Sequence, residues 1–217
     1  MIKVSNLSKS FNGQPVLKNI SVSFKPGRTD LIIGRSGSGK TVLLKSIVGL
    51  HPIDEGEIWY ENKLFNELDF NGKKMIRQEM GMLFQGSALF DSLTVEQNVR
   101  FPLDMFTGKN LEEKTDRVNF CLNRVNITNS NNLYPSELPG GMKKRVAIAR
   151  AIALNPKYLF CDEPNSGLDP LTAILIDALI KEITEEFCMT TIVNTHDMNS
   201  VMEIGEKIIF ISYFHNL

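Results

Sequence analysis

Eight consecutive residues, Gly34-Arg35-Ser36-Gly37-Ser38-Gly39-Lys40-Thr41, constrain this chain more than any other stretch. They match G-x-x-x-x-G-K-[ST] and stand between the apolar run Leu31-Ile32-Ile33 and a segment whose Leu43, Leu44, Ile47, Val48 and Leu50 read as the buried face of a helix. Glycines let successive backbone N–H groups converge on one point, a helix starting near Gly39 aims its positive end there, and Lys40 adds a full charge. The stretch therefore predicts a phosphate cradle in a strand, loop and helix unit, with all eight residues as nucleotide-binding positions. The Thr41 hydroxyl is a candidate Mg²⁺ ligand, because Mg²⁺ prefers hard oxygens. An incidental Gly/Ser turn ahead of Lys-Thr is the competing reading, and the apolar segments on both sides argue against it.

Other apolar runs build the frame around that loop. Residues 2–7 and 20–24 alternate apolar and polar positions around an Asn12-Gly13 turn, and 57–60 returns to strand after Pro52 and Gly56, which predicts an antiparallel layer near the N-terminus. Short apolar strands at 81–84, 158–161, 190–193 and 207–211 alternate with helical patterns at 94–101, 112–125, 141–153 and 170–187. In 141–153 the residues Met142, Val146, Ala149 and Ala153 keep one face apolar. Alternation of this kind predicts an α/β fold with a parallel sheet, in which ligands gather at the carboxyl ends of the strands. Four polar features obey that rule: the loop after Ile33, Gln85 after Phe84, Asp162-Glu163 after Cys161, and His196 after the strand ending near Asn194.

Composition excludes several classes. At 217 residues, 42% hydrophobic and 23% charged, the chain suits one domain with a substantial core, and a net charge of −1 with mixed signs offers no footprint for nucleic acid. Lys143-Lys144-Arg145 is the basic run, read as a solvated helix face. Cys121, Cys161 and Cys188 are odd in number and far apart, so they read as reduced, mostly buried thiols of a cytosolic protein. No apolar run is long enough to span a membrane and residues 1–6 hold no signal-peptide core, so any membrane link is expected to run through a partner.

Paired acids directly after the buried run Tyr158-Leu159-Phe160-Cys161 suit metal-assisted phosphoryl chemistry. Asp162 would orient Mg²⁺, usually through a water, and Glu163 would polarise the attacking water. Gln85 is a candidate for the metal or for that water. His196 either donates to a γ-phosphate or is a satisfied structural histidine, and Phe11 either stacks on an adenine or caps the small sheet.

Phe11, the 34–41 loop, Gln85, Leu138-Pro139-Gly140-Gly141-Met142, the run ending in Asp162-Glu163, Ser166-Gly167-Leu168-Asp169 and His196 fall in the order and spacing of an ABC transporter ATP-binding subunit, which the chain resembles over nearly its whole length. The resemblance implies a P-loop NTPase with an ABC-type core, an N-terminal antiparallel β layer and an inserted helical subdomain: one domain over 1–217, with core 1–85 and 155–217 and helical part 86–154. It implies ATP and Mg²⁺ as cofactors and catalysis by Glu163, His196, Gln85 and Lys40. Phe11 becomes an adenine-stacking residue, Gly140, Gly141 and Asp169 nucleotide contacts, and Thr41, Gln85 and Asp162 metal positions. It also implies a homodimer, because the signature at 138–142 serves the nucleotide of the other copy, an integral membrane permease, and a place on the cytoplasmic face of the bacterial inner membrane. Lys40-Thr41-Val42-Leu43-Leu44-Lys45, the stretch 80–90 and the Gly-Gly-Met ending of the signature resemble the lipid-asymmetry branch, which implies phospholipid transport with an Mce-type lipid-binding partner. Transport of another solute, or a nucleotide-gated scaffold with weak turnover, is the alternative.

Two departures from the family pattern stand out. Pro139 replaces the signature serine and supplies neither hydroxyl nor N–H. Relatives usually continue past a strand like 207–211, whereas the sequence here ends at Leu217, so 212–217 is expected to pack differently.

Overall fold

The computed structural model describes residues 1–212, so the expectation for the tail lies, beyond Ser212, outside the described residues. In chain order the strands are β1 (Ile2–Phe11), β2 (Gln14–Phe24), β3 (Arg28–Ile33), β4 (Glu55–Tyr60), β5 (Lys63–Leu64), β6 (Met80–Leu83), β7 (Tyr158–Asp162), β8 (Thr190–Thr195) and β9 (Lys207–Phe210). The helices are α1 (Lys40–Ile47), α2 (Phe70–Gln78), α3 (Val95–Phe106), α4 (Leu111–Arg124), α5 (Gly140–Ile152), α6 (Pro170–Glu186) and α7 (Met198–Ile204).

Two sheets result. The antiparallel sheet has order β2-β1-β4-β5, and its hairpin turns at Asn12 (φ 50°) and Gly13 (φ 78°), the paired left-handed conformation that matches strand twist. The second sheet has order β6-β7-β8-β3-β9 and its neighbours pair in parallel. Its inner strands β7, β8 and β3 are buried almost throughout, which is why they lack polar–apolar alternation, whereas the edge strand β9 leaves Ile208 and Phe210 exposed. In β7, Leu159 and Cys161 join a core with α3, α4, α5 and α6, while Tyr158 and Phe160 join the core under α1 and the antiparallel sheet. The register sets Asp162 beside Asn194 and Ile33 beside Thr195, so the carboxyl ends of β7, β8 and β3 finish together.

Local chemistry starts the helices. Thr94 accepts from Gln97 N while Gln97 Oε1 accepts from Thr94 N, a capping box that opens α3, and Asn110 and Glu113 do the same for α4. Asn98 is fully buried in α3 and ties down the incoming loop, accepting from Phe90 N and donating to the carbonyls of Phe90, Leu93 and Thr94.

Two expectations are corrected, and that of mostly buried cysteines is met by two of the three. Leu50 is 53% exposed, because α1 ends before Gly49, whose φ of 76° turns the chain off the helix axis. Lys144 is only 4% exposed rather than on a solvated face. Cys188 is exposed, while Cys121 and Cys161 are buried as expected. The helices α2 and α7 had no clear periodic signal: α2 packs little more than Ile76 into the core, and α7 is short.

Candidate nucleotide-binding site

The loop before α1 takes its shape from its glycines. A Cβ on Gly34 would lie 2.2 Å from the Ile211 carbonyl oxygen, and Gly37 and Gly39 have φ of 80° and 101°. Arg35, Ser36 and Gly37 form the exposed tip, and Ser38 is buried with its hydroxyl unpartnered by hydrogen bonds. Lys40 opens α1 in a buried position, donates to the carbonyls of Gly34 (3.0 Å) and Arg35 (3.3 Å), and lies 3.8 Å from Glu163 Oε1. The arrangement joins an ammonium, a helix start and an unpaired buried hydroxyl on one loop, which is what an anionic phosphate chain needs.

Asp162 ends β7 almost fully buried, and its Oδ1 accepts from Thr41 Oγ1 (2.9 Å) and from Asn194 Nδ2 (3.2 Å). Two hard oxygens in contact at the loop fit Mg²⁺, which takes one or two protein oxygens and keeps waters beside phosphate. One residue on, Glu163 adopts φ 49°, a conformation non-glycine residues take only when the surroundings impose it. Its N–H donates to Asn194 O (3.0 Å), and its carboxylate reaches His196 Nδ1 (2.7 Å) on one side and Lys40 on the other. His196 remains two-thirds exposed on its side chain. Beside Glu163 and His196 a cleft of about 390 Å³ opens, also lined by Ser166 and Gly167.

The structure thus brings Lys40, Thr41, Asp162, Glu163 and His196 into one chain of contacts. Gln85 lies next to it, with Nε2 donating to Ser166 Oγ (3.2 Å) rather than contacting Thr41 or Asp162. Phe11 is 40% exposed at the end of β1, edge-on to His51. Asp169 accepts from Thr172 N (3.0 Å) as the N-cap of α6, and the Thr172 side chain together with that N–H holds its carboxyl below the usual range. Pro139 is the N-cap of α5, Gly140 follows exposed, and a Cβ on Gly141 would lie 2.7 Å from Thr172 Cγ2, so signature and Asp169 meet at Thr172. The contacts of Gly140, Gly141 and Asp169 run to Leu168 and Thr172.

Sequence reasoning missed Asn194, which orients Asp162; a lone asparagine inside the buried run Ile192-Val193-Asn194 was its signal. It also missed a buried network in which Asn165 donates to Asp177 (2.7 Å) and to Ser200 (3.0 Å). Burial pushes the Asp177 carboxyl up, and no periodic pattern announces such an acid.

A parallel sheet that gathers a glycine-rich loop, a buried lysine and two acids at its carboxyl edge defines a P-loop nucleotide-binding protein. Residues 17–166 match the ABC transporter family model, and the chain belongs to that family. It is similar to the methionine import ATP-binding protein MetN of Clostridium tetani, 40% identical over 97% of this chain and 66% of the relative. MetN of Campylobacter jejuni is 38% identical, covering 98% and 68%, and the sulfate/thiosulfate import ATP-binding protein CysA of Mesostigma viride is 36% identical, covering 96% and 58%. The chain spans about two thirds of the length of the curated relatives it matches. Among solved structures, a dimeric post-hydrolysis state of an ATP-binding cassette bound to ADP and Pi superposes with a TM-score of 0.88 at 35% identity, over 98% of this chain and 94% of that one. The structure of cbiO1 from Clostridium perfringens gives 0.89 at 31% identity, over 97% and 84%.

These relatives correct the expected lipid-asymmetry branch. Their names are those of methionine and sulfate importers. The residues behind that expectation lie in the first turns of α1, in β6 and its following loop, and at the start of α5.

Proposed function

We propose that this chain is the ATP-hydrolysing subunit of an importer for a small polar solute, working as a dimer beneath a separate membrane permease. The observation that carries the proposal is the Glu163 carboxylate held between Lys40 and His196, one residue past the Thr41–Asp162 contact. Lys40 and the N–H groups of 34–41 would bind the β- and γ-phosphates, with Phe11 stacking on the base. Thr41, Asp162 and, after a shift of its side chain, Gln85 would hold Mg²⁺, which neutralises charge building on the transferred phosphoryl group. Glu163 would accept the proton of the attacking water, and His196, already bonded to Glu163, would orient that carboxylate and donate to the γ-phosphate. Gly140, Gly141 and Asp169 would complete the nucleotide site of the other copy. Support for a dimer comes from the dimeric structural relative.

No helix among the described residues is long and apolar enough to cross a membrane, and the subunit would be held at the cytoplasmic face of the inner membrane by the permease. A docking place is the groove of about 430 Å³ lined by Met80, Met82, Phe84, Phe90, Phe101 and Phe106. The import relatives favour an amino acid or inorganic anion as solute and remove the support for phospholipid and for an Mce-type partner. Two variants test the roles. Lys40→Ala removes charge-assisted contacts of about 1.5–3 kcal/mol and should weaken ATP binding roughly 10- to 150-fold, while Glu163→Gln should bind ATP normally and not turn it over. Equal loss of binding in both would overturn the assignment.

A further inference from the structure

We propose that Lys144 and Arg150, two cations on α5, are positioning residues that set the loop after β6 and thereby hold Gln85, so that the orientation of the signature helix is felt at the hydrolytic site. This rests on the ATPase reading and adds to it a link that neither motif contains. Lys144 donates to the Gln85 carbonyl, and Arg150 donates to the carbonyls of Ala88 (2.7 Å) and Ser87 (2.9 Å). One helix thus grips three carbonyls of one short loop. Within that loop Ser87 (φ 64°) and Ala88 (φ 49°) are both left-handed, a conformation two successive non-glycine residues keep only under outside restraint.

The loop also touches both functional surfaces. Gln85 Nε2 reaches Ser166, next to Glu163 in the cleft, and the Arg150 guanidinium lies 5.8 Å from the Phe90 ring, which faces the apolar groove. Lys144 is buried, and among the described residues no carboxylate lies within ion-pair distance of it. Burial accordingly pulls its ammonium below the ordinary lysine range. A buried cation without a carboxylate partner is costly, and a methionine would fill the same space without that cost. What the lysine adds is its bond to the Gln85 carbonyl.

A double-mutant cycle on ATP turnover, paired with amide hydrogen exchange on the nucleotide-free protein, tests this. Lys144→Met should lower kcat about tenfold, equivalent to about 1.4 kcal/mol, with KM for ATP within about twofold. Combined with Gln85→Ala it should cost nothing beyond Gln85→Ala alone, because it acts through that residue. Lys144→Arg should recover part of the rate. Amides of 85–88 should exchange about tenfold faster in Lys144→Met and in Arg150→Met, with those of β7 and α6 unchanged. Should Lys144→Met not fold, Lys144→Gln, with a shorter donor, should show the same pattern at smaller amplitude. Losses that multiply in the double variant, or unchanged exchange at 85–88, would overturn the proposal. A parent protein without ATP turnover would refute the ATPase reading alone, and the exchange arm would still decide the clamp.

Discussion

Replacing Pro139 by serine separates what the α5 N-terminus does for stability from what it does for turnover. Pro139 occupies the N-cap with φ −59° and ψ 156°, exposed and with no side-chain cap, and its carbonyl accepts from Lys143 N (3.0 Å). Serine adopts that backbone without strain, and its oxygen can accept from the N–H of Gly141 or Met142, unpaired in any helix start. The cap should add about 0.5–2 kcal/mol, and losing the proline should return about 0.4–1 kcal/mol through a freer unfolded chain. The net is at most about 1.5 kcal/mol, or roughly 3–6 °C in Tm for a chain of this size. While accepting that bond the hydroxyl keeps its own proton for a γ-phosphate held by the partner copy, a charge-assisted contact of about 1.5–3 kcal/mol. If it forms in the closed dimer, turnover should rise about 10- to 150-fold, with monomer ATP affinity unchanged. Steady-state ATPase assays of Pro139→Ser, with size-exclusion of the Glu163→Gln background in ATP, measure both effects. A higher Tm with unchanged turnover and dimer fraction would refute the reasoning and show that the N–H groups of Gly140 and Gly141 suffice.

Three further outcomes are expected. Phe90 is 43% exposed, packs against Phe101 at 4.8 Å and lines the groove, so Phe90→Glu should abolish co-purification with the permease while the subunit still folds and binds ATP; retained assembly would move docking elsewhere. Val99, by contrast, is core, and a charge there should unfold the chain rather than report on docking. Burial raises the Asp177 carboxyl above its unfolded value of 3.8, so the native state prefers it protonated and the penalty for ionising it accrues as pH rises from the unfolded to the folded value. Asp177→Asn keeps an oxygen for Asn165 and should stabilise the protein near about pH 7, with the gain fading toward about pH 4 in denaturant titrations. A variant less stable than the parent near neutrality would show that the bond from Asn165 to the ionised carboxylate outweighs its burial.

The 34–41 loop, the acids after β7, and Gln85 and His196 were legible because each is local: a glycine pattern dictates backbone, and a polar residue ending an apolar run stands at a strand's carboxyl end. The antiparallel hairpin was legible for the same reason, since Asn12-Gly13 selects its own turn. Burial of Lys144, the bond from Asn194 to Asp162 and the Asn165–Asp177–Ser200 network were not, because each joins segments that are far apart in the chain. The default for a Lys-Lys-Arg run is a wet helix face, and only the approach of the 85–88 loop to α5 overrides it. Leu50 failed in the opposite sense: its spacing continued the apolar helix face, but Gly49 ended the helix one residue earlier. Cargo was the remaining misreading, drawn from residues of α1, β6 and the start of α5. A sequence determines the conformations and charges its own neighbours impose, whereas solvent exclusion depends on which distant segments pack against a residue, and that decides which side chains become positioning groups.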